Sequence, residues 1–152
     1  MKIISGGQTG VDRAALDAAI EIGLPYGGTI PQGRVSEDGG VPLTYTHLKE
    51  ATRSEYSYRT EQNVIHSDAI LILTYLPMVG GTKLTEIFCK KYAKIHLIID
   101  LQKPETENKE KVLKWLFKVK PEVLNIAGPR ESKHPGIYQK TKTLLEKIFK
   151  TL

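Results

Sequence analysis

Apolar positions along the chain fall into two alternating patterns. Short unbroken aliphatic runs occur at Lys2-Ile3-Ile4, Tyr26 to Ile30, Ala69 to Tyr75, Ile95 to Leu101 and Val123 to Ala127. Runs of this length, rich in β-branched residues, predict strands, and their continuous apolarity predicts burial on both faces. Between them the spacing changes. Val11, Ala14, Ala15, Ala18, Ala19 and Ile22 recur at i, i+3, i+4 and predict a helix over 10–22 with a small-residue face against a sheet. Helical spacing returns at Val112, Leu113, Leu116 and Phe117 and at Leu144, Leu145, Ile148, Phe149 and Leu152, while 82–92 lies between two strands. Strands alternating with helices predict an α/β protein. The expected architecture is a Rossmann-like three-layer sandwich, a mostly parallel twisted sheet of about five or more strands with helices on both faces.

Two junctions interrupt this pattern in the same way. The first strand runs into Ser5-Gly6-Gly7-Gln8-Thr9-Gly10-Val11-Asp12, and the strand from Ala69 into Leu76-Pro77-Met78-Val79-Gly80-Gly81-Thr82, each followed by a helix. A glycine elbow between strand and helix turns backbone N–H groups and a positive helix end toward one spot, where an anion can sit. Two such cradles suggest a nucleotide-like ligand. Gly6, Gly7 and Gly10 then allow close approach of a phosphate, with Gln8 and Thr9 at the rim. The structural alternative is a tight turn with Thr9 as N-cap, and Thr9 and Asp12 do have capping-box spacing. Residues 30–58, with Pro31, Gly33, Gly39, Gly40 and Pro42, read poorly as helix or strand and are expected to form an ordered loop over the crevice.

Taken in order, the SGGQTGVD run, Pro31-Gln32-Gly33-Arg34 with Glu37-Asp38-Gly39, Tyr58-Arg59-Thr60, Gly80-Gly81-Thr82 with Thr85, and the segment from Leu124 to Ser132 resemble the putative molybdenum carrier family. That family is a Rossmann-like branch related to the Lonely Guy phosphoribohydrolases and DprA-type nucleotide-binding domains. The resemblance covers nearly the whole chain and implies a single domain over 1–152. It further implies glycine loops that bind a phosphate-bearing ligand, with molybdenum cofactor as the proposed cargo and a nucleotide as the other candidate, and a homo-oligomer. In the phosphoribohydrolase motif a glutamate stands three positions after the threonine. Here that position is Thr85, and Glu86 is one residue further, about 100° around a helix. The displacement weighs against hydrolase chemistry and for a non-catalytic binding protein. Cleavage of the N-glycosidic bond of a nucleoside monophosphate, with Glu86 or Glu37 as carboxylate, is the alternative.

Arg59 matches the arginine of those relatives in spacing and can clamp a phosphate bidentately; its bland alternative is a surface pair with Glu55 or Glu61. Arg34 with Glu37, and Arg130 with Glu131, place opposite charges in loops beside the crevice, where each pair either contacts ligand or neutralises itself. Asn63, one helical turn after Arg59, can meet a base or pterin edge or cap a turn. Gly80, Gly81, Thr82 and Thr85 complete the candidate site.

Composition narrows the partners. His47, His66, His96 and His134 are scattered, so no directly ligated metal is expected, and molybdenum would arrive in its organic cofactor. Cys89 is the one cysteine, no apolar stretch approaches a membrane span, and a cytoplasmic protein is expected. Of the net charge of +5, an excess of six positive charges lies in residues 101–152. It consists mostly of lysines spaced along amphipathic helices, a solvated face without a nucleic-acid motif.

Overall fold

The computed structural model describes all residues from 1 to 152. In chain order the elements are β1 (Lys2–Ile4), α1 (Val11–Ile22), β2 (Tyr26–Gly27), β3 (Thr29–Ile30), β4 (Lys49–Glu50), α2 (Tyr56–Ile65), β5 (Ala69–Thr74), α3 (Gly80–Lys91), β6 (Ile95–Asp100), α4 (Glu105–Val119), β7 (Val123–Ala127) and α5 (Ile137–Thr151). Five strands form one sheet in the order β2-β1-β7-β5-β6, and every pairing in it is parallel. The last strand of the chain is therefore the central one. From β7 the sheet runs through β1 to β2 on one side and through β5 to β6 on the other. Parallel pairing puts the loops after β1, β5 and β7 at one edge, where open α/β sheets bind ligands.

Alternation along the strands divides the core into two layers. Ile3, Leu71, Leu73, Leu124 and Ile126 face α1, α4 and α5, and meet Ala15, Val112, Leu145 and Ile148 there. The buried alanines of α1 let that helix lie close to the sheet. Ile70 and Ile72 face the other way, against Val64 of α2 and Cys89 of α3. This Rossmann-like three-layer sandwich carries three helices on one face and only two on the other. Cys89 is buried on the inner face of α3, and its thiol is pushed up to about 11, first by that burial and then by Glu86.

Three expectations change in the structure. The strand read over 26–30 is two strands in two sheets, because Gly28 (φ 130°) passes so close to the backbone of Ser5 that a Cβ there would overlap its carbonyl oxygen. Beyond Gly28, β3 leaves the main sheet and pairs in parallel with β4, which was expected to be loop. The segment 30–58 also holds a short 3₁₀ turn at Gln32–Arg34 and the first residues of α2. Finally, β6 is not fully buried: it pairs with β5 alone, and Ile95 at its start is 48% exposed. Its residues pack on both faces, Leu97 and Ile99 on one and Ile98 on the other, but at the edge of the sheet most are covered only in part.

Candidate ligand-binding cleft

At the carboxyl edge of the sheet, over β7 and between α2 and α3, lies a cleft of about 190 Å³. It exists because the two-helix layer leaves the central strand uncovered. The turn after β1 contributes Gly6 and Gln8 and α1 contributes Asp12; α2 contributes Arg59 and Asn63; α3 contributes Gly81, Thr82 and Thr85; and the loop after β7 contributes Arg130. These nine of the fifteen sequence candidates meet in one place. Gly7, Thr9, Gly10, Arg34, Glu37 and Gly80 do not line it.

The two glycine turns are not equivalent. The turn before α1 is closed on the protein itself: the N–H of Gln8 donates to the Asp12 carboxylate at 3.2 Å, that of Thr9 to Gln8 Oε1 at 3.0 Å, and that of Val11 to the Pro129 carbonyl at 3.2 Å. Gly10 (φ 78°), not Thr9, is the N-cap, with no side-chain cap. The capping box expected from Thr9 and Asp12 is absent because Asp12 turns back to Gln8, and because the Thr9 hydroxyl donates to Glu37 and accepts from the N–H of Glu131 at 3.2 Å. The turn before α3 is open. Its N-cap, Val79, offers no side-chain acceptor, and nothing lies within 4 Å of a Cβ built on Gly81. Thr82 is 6% exposed and its hydroxyl finds no partner in the protein, whereas Thr85 donates to the Gly81 carbonyl at 3.0 Å. Lys133 brings its ammonium over this same helix start, 2.7 Å from where a Gly80 Cβ would be, with no carboxylate in ion-pair range. A cation beside the positive end of a helix favours an anion between them.

Arg59 forms the opposite wall. Its Nη1 lies 3.1 Å from Asp12 Oδ2, with side-chain exposures of 13% and 4%, so the pair is internal and neither Glu55 nor Glu61 is its partner. Glu61 pairs instead with Lys91 and Tyr92 of the α3 end. The guanidinium fits only because residue 6 is glycine: a Cβ there would overlap Arg59. Burial pushes the Asp12 carboxyl above its ordinary range, opposed by the positive charge of Arg59 and the N–H of Gln8. The Arg59 Nε is buried without a partner. Arg59 Nη2 also has no partner in the protein but is not buried, so this is the donor the fork turns to the cleft.

Charge pairing in the loops differs from the expected neighbours. Glu37 reaches across to the loop after β7, 3.1 Å from Arg130 Nε, and accepts from the Ser132 N–H at 3.1 Å and from the Thr9 hydroxyl. Arg130 therefore pairs with Glu37, and Glu131 caps the start of α5 through the N–H groups of Gly136 and Tyr138. Arg34 staples its own loop through the carbonyls of Val41 and Pro42, at 3.1 and 2.7 Å. Asn63 neither caps a turn nor leaves its amide free, since it exchanges two 2.8 Å hydrogen bonds with the backbone of Thr29 and ties α2 to β3. Glu86 is held by Lys83 and Lys90, largely buried along α3 but not lining the cleft.

The Glu37 clasp has a pH signature. Its hydrogen bonds to Ser132 and Thr9 and the charge of Arg130 outweigh desolvation and hold its carboxyl below the ordinary value. A depressed native pKa contributes stability that is present above the unfolded pKa and is lost as pH falls through the native one. Amide exchange in 36–40 and 130–133 is therefore expected to speed up below the ordinary carboxylate range in the wild type. Exchange in Glu37→Gln should be fast already at neutral pH. Equal protection in both proteins would show that the clasp does not hold the loops.

Sequence reasoning missed Tyr56, Asn125, Gly128 and Lys133 among the lining residues. Tyr56 stacks loosely on Arg59, 5.7 Å from ring centroid to guanidinium carbon. Gly128 lets β7 pass against Leu73, whose carbonyl oxygen a Cβ would overlap. A signal for Asn125 was available: an amide in the middle of the apolar run Val123 to Ala127.

A parallel sheet with helices on both faces, and a polar, cation-lined cleft where its strand order reverses, defines a Rossmann-like domain. The chain belongs to the circularly permutated YpsA SLOG family, whose model matches residues 3–149. It is 50% identical to a putative molybdenum carrier protein from Syntrophus aciditrophicus SB, whose crystal structure it matches with a TM-score of 0.93 over 97% of this chain and 93% of that one. The resemblance to the putative molybdenum carrier family, read from five motifs, is thereby established. No curated protein matches the chain. No helix is long and apolar enough to cross a membrane.

Proposed function

We propose that the protein is a carrier that holds a phosphate-bearing small molecule, molybdenum cofactor or a nucleotide, in this cleft without turning it over. The observation that carries the reading is the uncapped start of α3, open at Gly81 and Thr82, facing Arg59 across the same cleft. Helix N–H groups and the unpaired Lys133 suit a phosphate, and the accessible, unpartnered Arg59 Nη2 adds a directional donor. The name of the 50% identical protein supports molybdenum-related cargo. Against cleavage of an N-glycosidic bond stands the position of the carboxylates: Glu86 and Glu37 lie outside the cleft, and Asp12, which lines it, is committed to Arg59. The test is calorimetric titration with nucleoside monophosphates and with molybdenum cofactor, the mixtures then being analysed for free base. Binding of one of them tighter than about millimolar with the ligand recovered intact is expected. No binding at that level, or release of base, would overturn the carrier reading.

A further inference from the structure

Strand alternation sends Leu124 and Ile126 of β7 into the α1, α4 and α5 layer and turns Asn125 to the opposite face, beside Ile4 and Ile70 in register. This is a core position on the central strand. Asn125 is 2% exposed there, lines the cleft floor, and its amide makes no hydrogen bond within the protein. Its amide atoms are not among the buried polar atoms left without a partner, so the little of the side chain that stays accessible is its polar end, turned to the cleft, where an aliphatic residue would serve the core as well. The residue is thus poorly explained by packing. Thr82, also more than nine-tenths buried and also without a partner for its hydroxyl, lines the same cleft.

We propose that Asn125 reads the neutral part of the ligand, its NH₂ donating to and its carbonyl accepting from hydroxyl groups carried next to the phosphate. The inference rests on the reading of the cleft as a phosphate site and goes further by naming what lies beside the phosphate. It also ranks ligands. The oxygens of a free oxyanion such as molybdate only accept, so they would leave the Asn125 carbonyl buried and unpaired, whereas a hydroxylated phosphate ester satisfies both ends of the amide. Sites that hydrogen-bond a ligand hydroxyl discriminate strongly against analogues lacking it. The lactam edge of a base or pterin presents the same donor and acceptor, so the test separates the two sources.

The experiment is a chemical-shift titration of the full chain with inorganic phosphate, ribose 5-phosphate and GMP, for wild type and Asn125→Leu, with circular dichroism as the fold check and Asn125→Ala as the second variant. Ribose 5-phosphate should bind the wild type at least about tenfold tighter than inorganic phosphate. Asn125→Leu should erase that margin while phosphate affinity stays within about twofold, because the α3 start is untouched. A margin seen with GMP alone, and lost in the variant, would assign the lactam edge instead and overturn the hydroxyl. A margin that persists in both variants, or no margin in the wild type, would overturn the role of Asn125 and leave the phosphate site standing. Binding of none of the three probes would remove the phosphate site and this inference together.

Discussion

Replacing Arg59 by alanine should cost the protein about 3–5 kcal/mol of stability, because it leaves the Asp12 carboxylate buried without its counter-ion. It should also weaken ligand binding by roughly tenfold to a hundredfold, the loss of a charge-assisted hydrogen bond of about 1.5–3 kcal/mol. Two effects from one substitution need separating, and the geometry allows it. Asp12 already sits with its carboxyl pushed up by burial, and Arg59 is the main force opposing that rise. Without Arg59 the native state holds a proton on Asp12 over a wider range above the ordinary carboxylate pKa, while the unfolded chain has released it. Where the native state binds more protons, stability falls as pH rises, so the variant should lose stability more steeply than wild type on going from acid to neutral pH. Arg59→Ala combined with Asp12→Asn removes the buried charge and keeps an acceptor for the Gln8 N–H. The double variant should recover much of the urea midpoint and none of the ligand affinity. Wild-type affinity in the double variant would reduce Arg59 to a structural counter-ion.

Much of this architecture is legible in the sequence because it is local. Five apolar runs and the spacing of α1, α4 and α5 follow from periodicities that each segment carries by itself, and the glycine turns mark where strands end. The order of the strands is different. Nothing in the run Val123 to Ala127 says that it will lie between β1 and β5, and it is this placement that brings Asn125, Gly128 and Lys133 under and around the cleft. The same blindness to long-range approach explains the glycines: Gly10 reads as a phosphate-binding position, yet its missing Cβ makes room for the backbone of the loop after β7. It also explains the charges. Arg34 and Glu37 are neighbours in sequence, but Glu37 lies 3.1 Å from Arg130 and Arg34 turns to carbonyls of its own loop. The helix α2 was hidden for another reason. Only Asn63 and Val64 are buried along its ten residues, so it carries almost no apolar stripe, and its inner face is given to the polar groups that line the cleft.

Alanine at Gly10 and alanine at Gly81 should have opposite consequences, although both glycines open helices that follow strands of the same sheet. Gly10 has φ 78°, and a Cβ there would overlap the Pro129 carbonyl and stand 2.7 Å from the Glu131 nitrogen. Those are backbone atoms, and neither can swing away as a side-chain tip would. With ψ −128° Gly10 lies outside the left-handed helical region, in a conformation sparsely open to any residue but glycine that costs about 1–3 kcal/mol, and overpacking adds about 1–3 kcal/mol. For a chain of this size each kcal/mol lowers Tm by roughly 2–4 °C, so Gly10→Ala should melt about 5–20 °C below wild type. Gly81 is helical, exposed and free of neighbours within 4 Å. Alanine there should leave Tm unchanged or raise it slightly, since alanine is the better helix former. Its methyl group, however, enters the space through which an anion would reach the N–H groups of α3, so ligand affinity should fall while the fold persists. Calorimetric melting and ligand titration of the two variants read these effects independently. Normal ligand affinity in Gly81→Ala would move the anion away from the α3 turn, whereas a wild-type Tm in Gly10→Ala would mean that the loop after β7 can withdraw from α1 and leave the first turn open for the ligand.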